Sequence, residues 1–297
     1  VAKLSCWQVR RINRALRAAG APDNLVVTVT APSLENTNAM MAHPKVRMLV
    51  ATGGPGIVKA VLSSGKKAIG AGAGNPPAVV DETADIEHAA KCIVDGASFD
   101  NNLPCTAEKE IIAVDSIADM LKFCMIKHGA YEATASEVAE LEKLLVNGDK
   151  PRTEWVGKPA AKILEAIGVT PPPGVRLIVC EASATHPFVV HELMMPVLGL
   201  VRVPDVDAAI DLAVELEHGN RHTAVMHSLN VSKLTKMGKL IQTTIFVKNG
   251  PSYNGIGIGG EGYPTFTIAG PTGEGLTSAR SFTRKRRCVL VGDLNVR

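Results

Sequence analysis

The sequence predicts an α/β protein built from two successive α/β units. Apolar runs typical of buried strands alternate with segments of helical periodicity, and turns rich in glycine separate them. Strands that alternate with helices form parallel sheets with helical crossovers. The 297 residues, of which 46% are hydrophobic, suffice for two domains with a sizeable core. A segment rich in glycine and proline over residues 70–77 separates the two units.

The first unit shows a strand–helix–strand–helix–strand order. Runs of apolar and β-branched residues predict its strands, and periodic apolar positions predict its helices. In chain order, we predict a helix over 1–19, a strand over 25–29, a helix over 33–42, a strand over 46–51, a helix over 57–64 and a strand over 67–71. Ligands of such sheets bind beyond the carboxyl ends of the strands.

A glycine-rich turn at Thr52, Gly53 and Gly54 leads from a predicted strand into a predicted helix. The free N–H groups at a helix N-terminus and the helix dipole favour a phosphate there. The turn matches neither the dinucleotide-binding fingerprint nor a P-loop, and Gly-Gly-Pro-Gly is also an ordinary tight turn. The residues themselves therefore leave open both phosphate binding and a purely structural role.

The second unit continues the alternation to the end of the chain. Asp205 is the expected N-cap of its most regular helix. The predicted elements are a strand over 78–80, helices over 83–97 and 119–128, a strand over 111–114, a charged, helix-rich segment over 131–150, strands over 175–179, 200–203, 223–226 and 244–247, helices over 206–217 and 231–240, and a last strand over 288–291.

Cys105 follows Pro104 at the end of a polar turn between a predicted helix and a predicted strand. Proline fixes its own φ angle and lacks an N–H group, so the thiol is held at a bend where it can face a cleft. A nucleophilic cysteine needs this access and an environment that favours thiolate. The alternative is a small buried apolar residue, which is the usual role of a free cysteine.

Charge and cysteine content narrow the class of protein. A net charge of +3 does not predict binding to nucleic acid or membranes, and we interpret the basic run 284–287 as a solvated face. The six cysteines form no C-x-x-C pair, which predicts no metal site and a reduced, intracellular compartment. The chain does not begin with Met and opens inside a helical pattern. We interpret it as lacking its natural N-terminus.

Several segments, taken together and in order, resemble the aldehyde dehydrogenase superfamily. Within it, they are most similar to the coenzyme A-acylating propionaldehyde and acetaldehyde dehydrogenases of bacterial microcompartments, and segments 217–222 and 250–253 look more like the propionaldehyde branch. The matching segments are Thr-Gly-Gly at 52–54, Gly-Ala-Gly-Ala-Gly-Asn-Pro-Pro at 70–77, Ala-Ser-Phe-Asp-Asn-Asn-Leu-Pro-Cys at 97–105, His-Pro-Phe at 186–188, Glu-Leu-Met-Met-Pro-Val at 192–197 and Gly-Pro-Thr-Gly-Glu-Gly-Leu at 270–276.

The resemblance implies a mechanism and two cofactors. Cys105 would attack the aldehyde carbonyl, hydride would pass to NAD+, and a thioester would remain on Cys105. Gly53 and Gly54 would lie near the cofactor diphosphate, and Glu192 would bind the nicotinamide ribose; its alternative is a solvated charge at a strand edge. NAD and coenzyme A both carry adenosine diphosphate, so we expect them to use one groove in turn.

Ala71 stands where hydrolytic members of the superfamily carry a glutamate that activates water. An alanine cannot accept a proton, and general-base catalysis typically contributes about a hundred- to ten-thousandfold. Ala71 and its neighbour Gly72 also leave room for the pantetheine arm of coenzyme A. The resemblance therefore implies transfer of the acyl group to coenzyme A rather than to water. Structurally, Ala71 also reads as the end of a buried strand, and both interpretations can hold.

The resemblance also implies an architecture. It predicts a remnant of a Rossmann-like parallel-sheet NAD domain over 1–74, an α/β catalytic domain over 75–285 and an oligomerisation strand over 286–297. It further implies a homo-oligomer, dimer or tetramer, in the cytoplasm and in a microcompartment lumen. Two alternatives remain: a hydrolytic aldehyde dehydrogenase, which Ala71 disfavours, and a catalytically silent structural or assembly fragment. For the fragment, an unpaired sheet edge would favour association.

Overall fold

A computed structural model describes residues 2–148 and 150–292, which form two compact units. One unit comprises the residues up to Ala51 together with Gly56–Ile69, and the other comprises Thr52–Pro55 together with the residues from Gly70 onward. The glycine-rich turn at Thr52 therefore belongs to the second unit. The domain boundaries given above stay predictions.

The first unit is mainly helical and has a small core. Leu49, Ala51 and Val61 form that core. Strands β1 and β2 pair in a two-stranded sheet. The elements are α1 (Ala2–Ala18), α2 (Leu34–Ala42), β1 (Met48–Thr52), α3 (Pro55–Leu62) and β2 (Lys67–Ala71). The helices and the two later strands predicted for this region are thus confirmed, with shifts of a few residues at their ends.

The strand predicted over 25–29 is wrong, because these residues form no strand. Leu25 and Val27 are 59% and 76% exposed. The backbone of Val26 bonds a side chain instead: Asn13 Nδ2 donates to its carbonyl at 2.7 Å, and its N–H donates to Asn13 Oδ1 at 3.1 Å. An apolar run becomes a strand only when neighbouring strands satisfy its backbone, and one asparagine supplies both partners here.

The second unit is organised around a seven-stranded sheet in which every pairing is parallel. The spatial order is β11-β10-β3-β4-β9-β8-β5. Its strands are β3 (Pro77–Val80), β4 (Glu110–Val114), β5 (Ala130–Glu132), β8 (Leu177–Glu181), β9 (Val197–Val203), β10 (Thr223–His227) and β11 (Ile245–Lys248); the short strands outside it are β6 (Val146–Asn147), β7 (Lys150–Pro151), β12 (Ile268–Ala269) and β13 (Gly275–Leu276).

Helices cover both faces of this sheet. Alternate residues of β4 point to opposite sides, so Ile111 joins a core with α4 and α5, whereas Ile112 joins a core with α9 and α10. A third core lies under α6 and α7. The helices are α4 (Ile86–Ser98), α5 (Asp115–Lys127), α6 (Ala135–Leu145), α7 (Ala160–Ala166), α8 (Pro187–Val190), α9 (Val206–Leu216) and α10 (Val231–Ile241).

The α/β class and the parallel sheet predicted for this unit are confirmed, as is the cap of α9. Asp205 accepts a hydrogen bond from the N–H of Ala208 at 2.9 Å. The prediction missed β5, which lies within the segment expected to be charged and helical. A strand of three residues carries too few positions for a period of two to show.

The strand predicted over 288–291 is not formed, although these residues lie within the part that the structure describes. Val289 and Val291 are 71% and 92% exposed. A strand needs a neighbour for its N–H and C=O groups, and this segment has no strand beside it in the described residues. Residues 293–297 of the predicted oligomerisation strand lie outside the described part.

The register of the sheet brings the amino ends of its central strands together. Pro77 of β3 lies beside Glu110 of β4, and Val225 of β10 lies beside Ala78. The residues just before these strands, Asn75, Lys109 and His222, therefore share one edge. Polar groups collect there, while the residues that follow within β3 and β4, from Ala78 and Ile111 onward, are apolar.

Candidate active site

The segment that carries Cys105 runs from the end of α4 to the start of β4. A 3-10 turn, Phe99–Asn102, follows the helix. Its residues Asp100, Asn101 and Asn102 are all left-handed, with φ of 47°, 53° and 65°. Asparagine and aspartate tolerate this conformation better than most residues, but three in succession must be held by their surroundings. This turn reverses the chain and sets the position of Cys105.

The side chain of Asn102 ties the turn to both neighbouring segments. Its Nδ2 donates to the carbonyl of Ala97 at 2.8 Å and to that of Glu108 at 2.9 Å. Asn102 is almost completely buried. The end of α4 and the residue before Lys109 are thereby bridged through one amide.

Lys109 holds the same turn from inside the protein. Its ammonium donates to the Asn102 carbonyl at 2.9 Å, to Asn102 Oδ1 at 2.7 Å and to the Pro104 carbonyl at 3.1 Å. The residue is only 3% exposed. Burial lowers the pKa of Lys109 to about 8, against the charges of Glu192, Cys105, Glu108 and Glu110, which favour the ammonium.

Cys105 is half-buried and packs against the larger core. Burial raises the pKa of its thiol, and the negative charge of Glu192 raises it further. The positive charge of Lys109 and the thiol's own backbone N–H oppose that rise. The thiol is thus subject to the charge of one carboxylate and one ammonium, and the ammonium is the group that favours thiolate.

Glu192 lies in the segment between α8 and β9, and its charge acts on both Cys105 and Lys109. Its carboxylate accepts a hydrogen bond from the N–H of Gly74, which, with the charge of Lys109, opposes the rise in pKa that burial causes. The structure therefore brings together Cys105 and Glu192, two of the predicted site residues. It also brings them to the edge formed by the amino ends of the strands.

Gly74 and His222 complete this edge. A Cβ atom at Gly74 would lie 2.9 Å from Cγ of His222 and 3.0 Å from the carbonyl oxygen of Cys105, so only glycine fits between them. His222 is 3% exposed, its Nδ1 pairs with the hydroxyl of Thr223 at 2.8 Å, and its Nε2 has no partner in the described residues. Burial, aided by the charge of Lys109, lowers its pKa to about 4.

Lys109 and His222 were missed as site residues by the sequence reasoning. The spacing of these two residues along the chain gives no geometry that would place them beside Cys105. A usable signal lay in the topology, since the two residues come directly before β4 and β10, the strands that pair with β3 on either side. Position relative to paired strands predicts proximity where spacing along the chain does not.

The other predicted cofactor residues form a second group in the same unit. The N–H of Gly53 donates to the carbonyl of Ala71 at 3.0 Å, which connects the turn Thr52–Pro55 to the end of β2. Ala71 is buried in that strand. Gly72 leads through Ala73 to Gly74, so the chain passes directly from this group to the edge that holds Cys105.

The second group fits the close approach of a diphosphate. A Cβ atom at Gly54 would meet nothing within 4 Å, so the backbone of the turn is open. A Cβ atom at Gly72 would touch the ring of Pro271 at 3.5 Å, and the N–H of Gly70 donates to Thr272 Oγ1 at 3.2 Å. Residues 70–72 and the segment 270–276 thus meet at small residues, as a backbone-lined ligand site requires.

Comparison with known proteins shows the family of this chain. A family model described as the aldehyde dehydrogenase family matches residues 2–130. An engineered glycolyl-CoA reductase with bound NADP+ superimposes with a TM-score of 0.96 at 65% identity, over 100% of this chain and 68% of that chain. The chain belongs to the aldehyde dehydrogenase family.

Members that acylate coenzyme A are prominent among the similar proteins. The CoA-propanoylating propanal dehydrogenase of Citrobacter freundii is 53% identical over 92% of this chain and 60% of its own length. The acetylating acetaldehyde dehydrogenase EutE of Salmonella typhimurium is 49% identical over 97% of this chain and 63% of its own length. This member of the aldehyde dehydrogenase family thus spans about 60% of the length of these curated relatives.

A similar solved structure contains both CoA and an acylated cysteine. The Rhodopseudomonas palustris propionaldehyde dehydrogenase, with bound CoA and an acylated cysteine, is 66% identical and has a TM-score of 0.95, over 97% of this chain and 66% of that chain.

In the present chain, none of the described helices has the length and hydropathy needed to cross a membrane.

Proposed function

We propose that this chain carries the catalytic centre of an NAD-dependent, CoA-acylating aldehyde dehydrogenase that acts on propionaldehyde or acetaldehyde. The observation that supports it most is the turn before Cys105, which Lys109 holds through Asn102 and Pro104, while the charges of Lys109 and Glu192 both act on the thiol. Relatives whose names specify CoA-propanoylating and acetylating activity match along nearly the whole of this chain.

The chemistry proceeds on the sulfur of Cys105. The thiolate attacks the aldehyde carbon, the carbonyl oxygen becomes an oxyanion, and a thiohemiacetal forms. NAD, when bound, supplies the acceptor for the hydride that leaves this carbon. A thioester on Cys105 remains; the thiolate of coenzyme A attacks its carbonyl carbon and takes the acyl group, and the C–S bond to Cys105 breaks so that Cys105 leaves as a thiolate. Thr52, Gly53 and Gly54 would lie near the diphosphate groups of these ligands, Ala71 and Gly72 would leave room for the pantetheine arm of coenzyme A, and Glu192 would bind a ribose.

The absence of a base at Ala71 decides between coenzyme A and water. Alanine has no group that could take a proton from water, whereas the thiol of coenzyme A is a stronger nucleophile than water and reacts through its thiolate without that base. We therefore expect propionyl-CoA, and little free propionate, from propionaldehyde, NAD+ and CoA. The products are separated by chromatography and identified by mass spectrometry.

Changing Ala71 to glutamate should shift the product towards free acid. An Ala71→Glu variant would place a carboxylate where hydrolytic members carry one, and general-base catalysis is typically worth about a hundred- to ten-thousandfold in rate. The ratio of propionate to propionyl-CoA measures the shift, and Cys105→Ala, which should form neither product, is the matched control. If the parent chain already releases mainly propionate, coenzyme A acylation is not its function.

Hydrolysis is the second candidate function, and the observation that favours it is the carboxylate of Glu192 near Cys105. This carboxylate lies close enough to Cys105 to raise the pKa of the thiol, so it could also activate a water molecule. In that case Glu192→Gln would lower propionate formation and leave CoA acylation in place. If Glu192→Gln instead lowers NAD+ reduction and leaves the ratio of propionate to propionyl-CoA unchanged, the result supports ribose binding by Glu192.

A silent structural or assembly fragment is the remaining alternative. It is excluded if the chain reduces NAD+ and acquires an acyl group on Cys105.

We further propose a homo-oligomer, supported by the exposed apolar residues Val289, Leu290 and Val291, and a microcompartment location, which the name of a similar structure suggests. Light scattering before and after removal of residues 286–297 tests the first, and co-sedimentation with purified microcompartment shells tests the second.

A further inference from the structure

A lysine buried beside a reactive thiol calls for a specific reason. Lys109 lies on the edge of the sheet with all of its hydrogen-bond donors directed at the turn before Cys105. Burying an ammonium is costly unless it is paired and hydrogen-bonded. Leucine or methionine would fill the same space at no such cost, so the charge and the donors are the features to explain.

The hydrogen bonds of Lys109 end on the strained part of the loop, next to its left-handed residues. Two of its three hydrogen bonds end on Asn102, the last of the three left-handed residues, and the third ends on Pro104, next to the nucleophile. The ammonium thus holds the carbonyls of Asn102 and Pro104 in one orientation. A turn of three left-handed residues has easier conformations to relax into, and these bonds oppose that relaxation.

The electrostatic surroundings give the same residue a second effect. Charged groups reach this place from several elements: Glu192 from the loop before β9, Glu108 and Glu110 on either side of Lys109, and His222 before β10. Burial and Glu192 both disfavour the thiolate of Cys105, and Lys109 is the cation among these groups that favours it. Without Lys109, the sulfur would face a carboxylate alone.

We infer that Lys109 is the positioning residue of the Cys105 nucleophile: it fastens the left-handed turn that presents the thiol and balances the charge of Glu192 when the thiolate forms. This inference rests on the proposed function only in taking Cys105 as the nucleophile. Lys109 does not act as a base, because its three donors are engaged by oxygen atoms of the turn.

The reactivity of the thiol is tested without substrate. Iodoacetamide alkylates thiolates, and peptide mass spectrometry measures its rate at Cys105 and at the exposed Cys288 in the same sample. Lys109→Gln removes the charge and keeps an amide donor, whereas Lys109→Met removes both. In each, alkylation of Cys105 near neutral pH should fall about tenfold or more, with a higher pH midpoint. The rate at Cys288 should not change.

Turnover measurements on Lys109 variants separate the effect of its charge from the effect of its hydrogen bonds to the turn. Lys109→Arg keeps the positive charge, so its Cys105 midpoint should stay close to that of the parent. Lys109→Met should lower kcat more than Lys109→Gln does, with KM for the aldehyde little changed, because the turn rather than the binding groove is affected. Lys143→Met, an exposed lysine, is the matched control and should behave as the parent.

The outcomes that overturn the inference are distinct from failure of the proposed function. A folded Lys109→Gln or Lys109→Met with a Cys105 alkylation profile that coincides with the parent's overturns it, as does an unchanged kcat in Lys109→Met. If Lys109→Met does not fold by circular dichroism, Lys109→Gln decides. Should the parent produce no acyl-CoA, the proposed function fails, yet the alkylation profiles still report on Lys109.

Discussion

Three consecutive buried titratable residues, Glu108, Lys109 and Glu110, show how partners decide the state of a charge. The Glu108 carboxylate accepts the N–H and the hydroxyl of Ser252 at 2.8 and 2.7 Å, and burial raises its pKa to about 7. Glu110 has no partner in the described residues, and burial raises its pKa well above the usual value. Burial thus favours the protonated form of Glu110, beside a lysine whose donors are all engaged.

His227 is the residue that we expect to limit stability in acid. It lies on β10, almost completely buried, with both ring nitrogens unpaired in the described residues, and burial lowers its pKa to about 4. An unfolded histidine has a pKa near 6.5, so between those values the unfolded chain binds the proton and the folded chain does not. Stability is therefore lost as pH falls from 7 towards 4.

Replacing this histidine should remove part of that loss. A His227→Met variant fills similar space without a titratable group, and between pH 7 and pH 5 it should lose about 2 kcal/mol less stability than the parent. Urea unfolding at both pH values, followed by circular dichroism, measures the difference. His43→Gln, at an exposed position, is the control. Equal losses in parent and His227→Met would contradict the expectation.

At the scale of elements, helix α4 contains a glycine that the carboxylate of Glu108 requires. A Cβ atom at Gly96 would overlap both oxygens of Glu108, which in turn bind Ser252. A Gly96→Ala variant must therefore displace a fully buried carboxylate. We expect it to lower the free energy of unfolding by about 1–3 kcal/mol, as overpacking typically does.

Helix α10 offers the matched control. A Cβ atom at Gly238 would meet only the ring of Phe246 at 3.9 Å, an ordinary contact. Gly238→Ala should thus raise the free energy of unfolding by up to about 1 kcal/mol through helix propensity. Opposite signs for the two variants in urea unfolding test the packing at Gly96. A stabilised Gly96→Ala variant would show that Glu108 moves away freely.

How much of the elements the sequence could predict depends on how local their causes are. Helices α9 and α4 carry their own periodicity and caps, with Asp205 and Asp85 as the N-cap residues, so their existence was predictable. The expected strand at 25–29 failed because Asn13, not a neighbouring strand, satisfies Val26. Pairing partners far along the chain are not visible in a single segment.

The site was predictable in part for the same reason. Cys105 and Glu192 lie in motifs that the family resemblance identifies, and they meet at one edge of the sheet. The role of Lys109 could not be read from the sequence, because it depends on the left-handed turn at Asn102. Likewise, His222 acquires significance only when the register places it beside Gly74.

At the scale of the whole molecule, the two units differ in how much they bury. Helices α1 and α2 contain no buried residue, whereas all five residues of β4 and all five of β10 are buried. Isolated helices of this length are marginal in water, since most helical stability comes from packing. We therefore expect the amides of α1 and α2 to exchange with deuterium much faster than those of β4 and β10.

Hydrogen exchange followed by mass spectrometry measures this difference peptide by peptide. Helix α3, which buries Val58 and Val61, is the internal control and should be intermediate. Protection of α1 equal to that of β4 would contradict the expectation and would show that α1 has a stabilising contact beyond its own turns.

The gathering of the chemistry at the amino ends of the strands leaves the opposite rim of the sheet free for other uses. Leu229, just beyond the carboxyl end of β10, has a side chain 65% exposed to solvent. A dye, a surface tether or an electrode linker fixed there would be separated from the thiol by the length of a strand. The molecule could thus be immobilised or labelled on one rim while it turns over on the other.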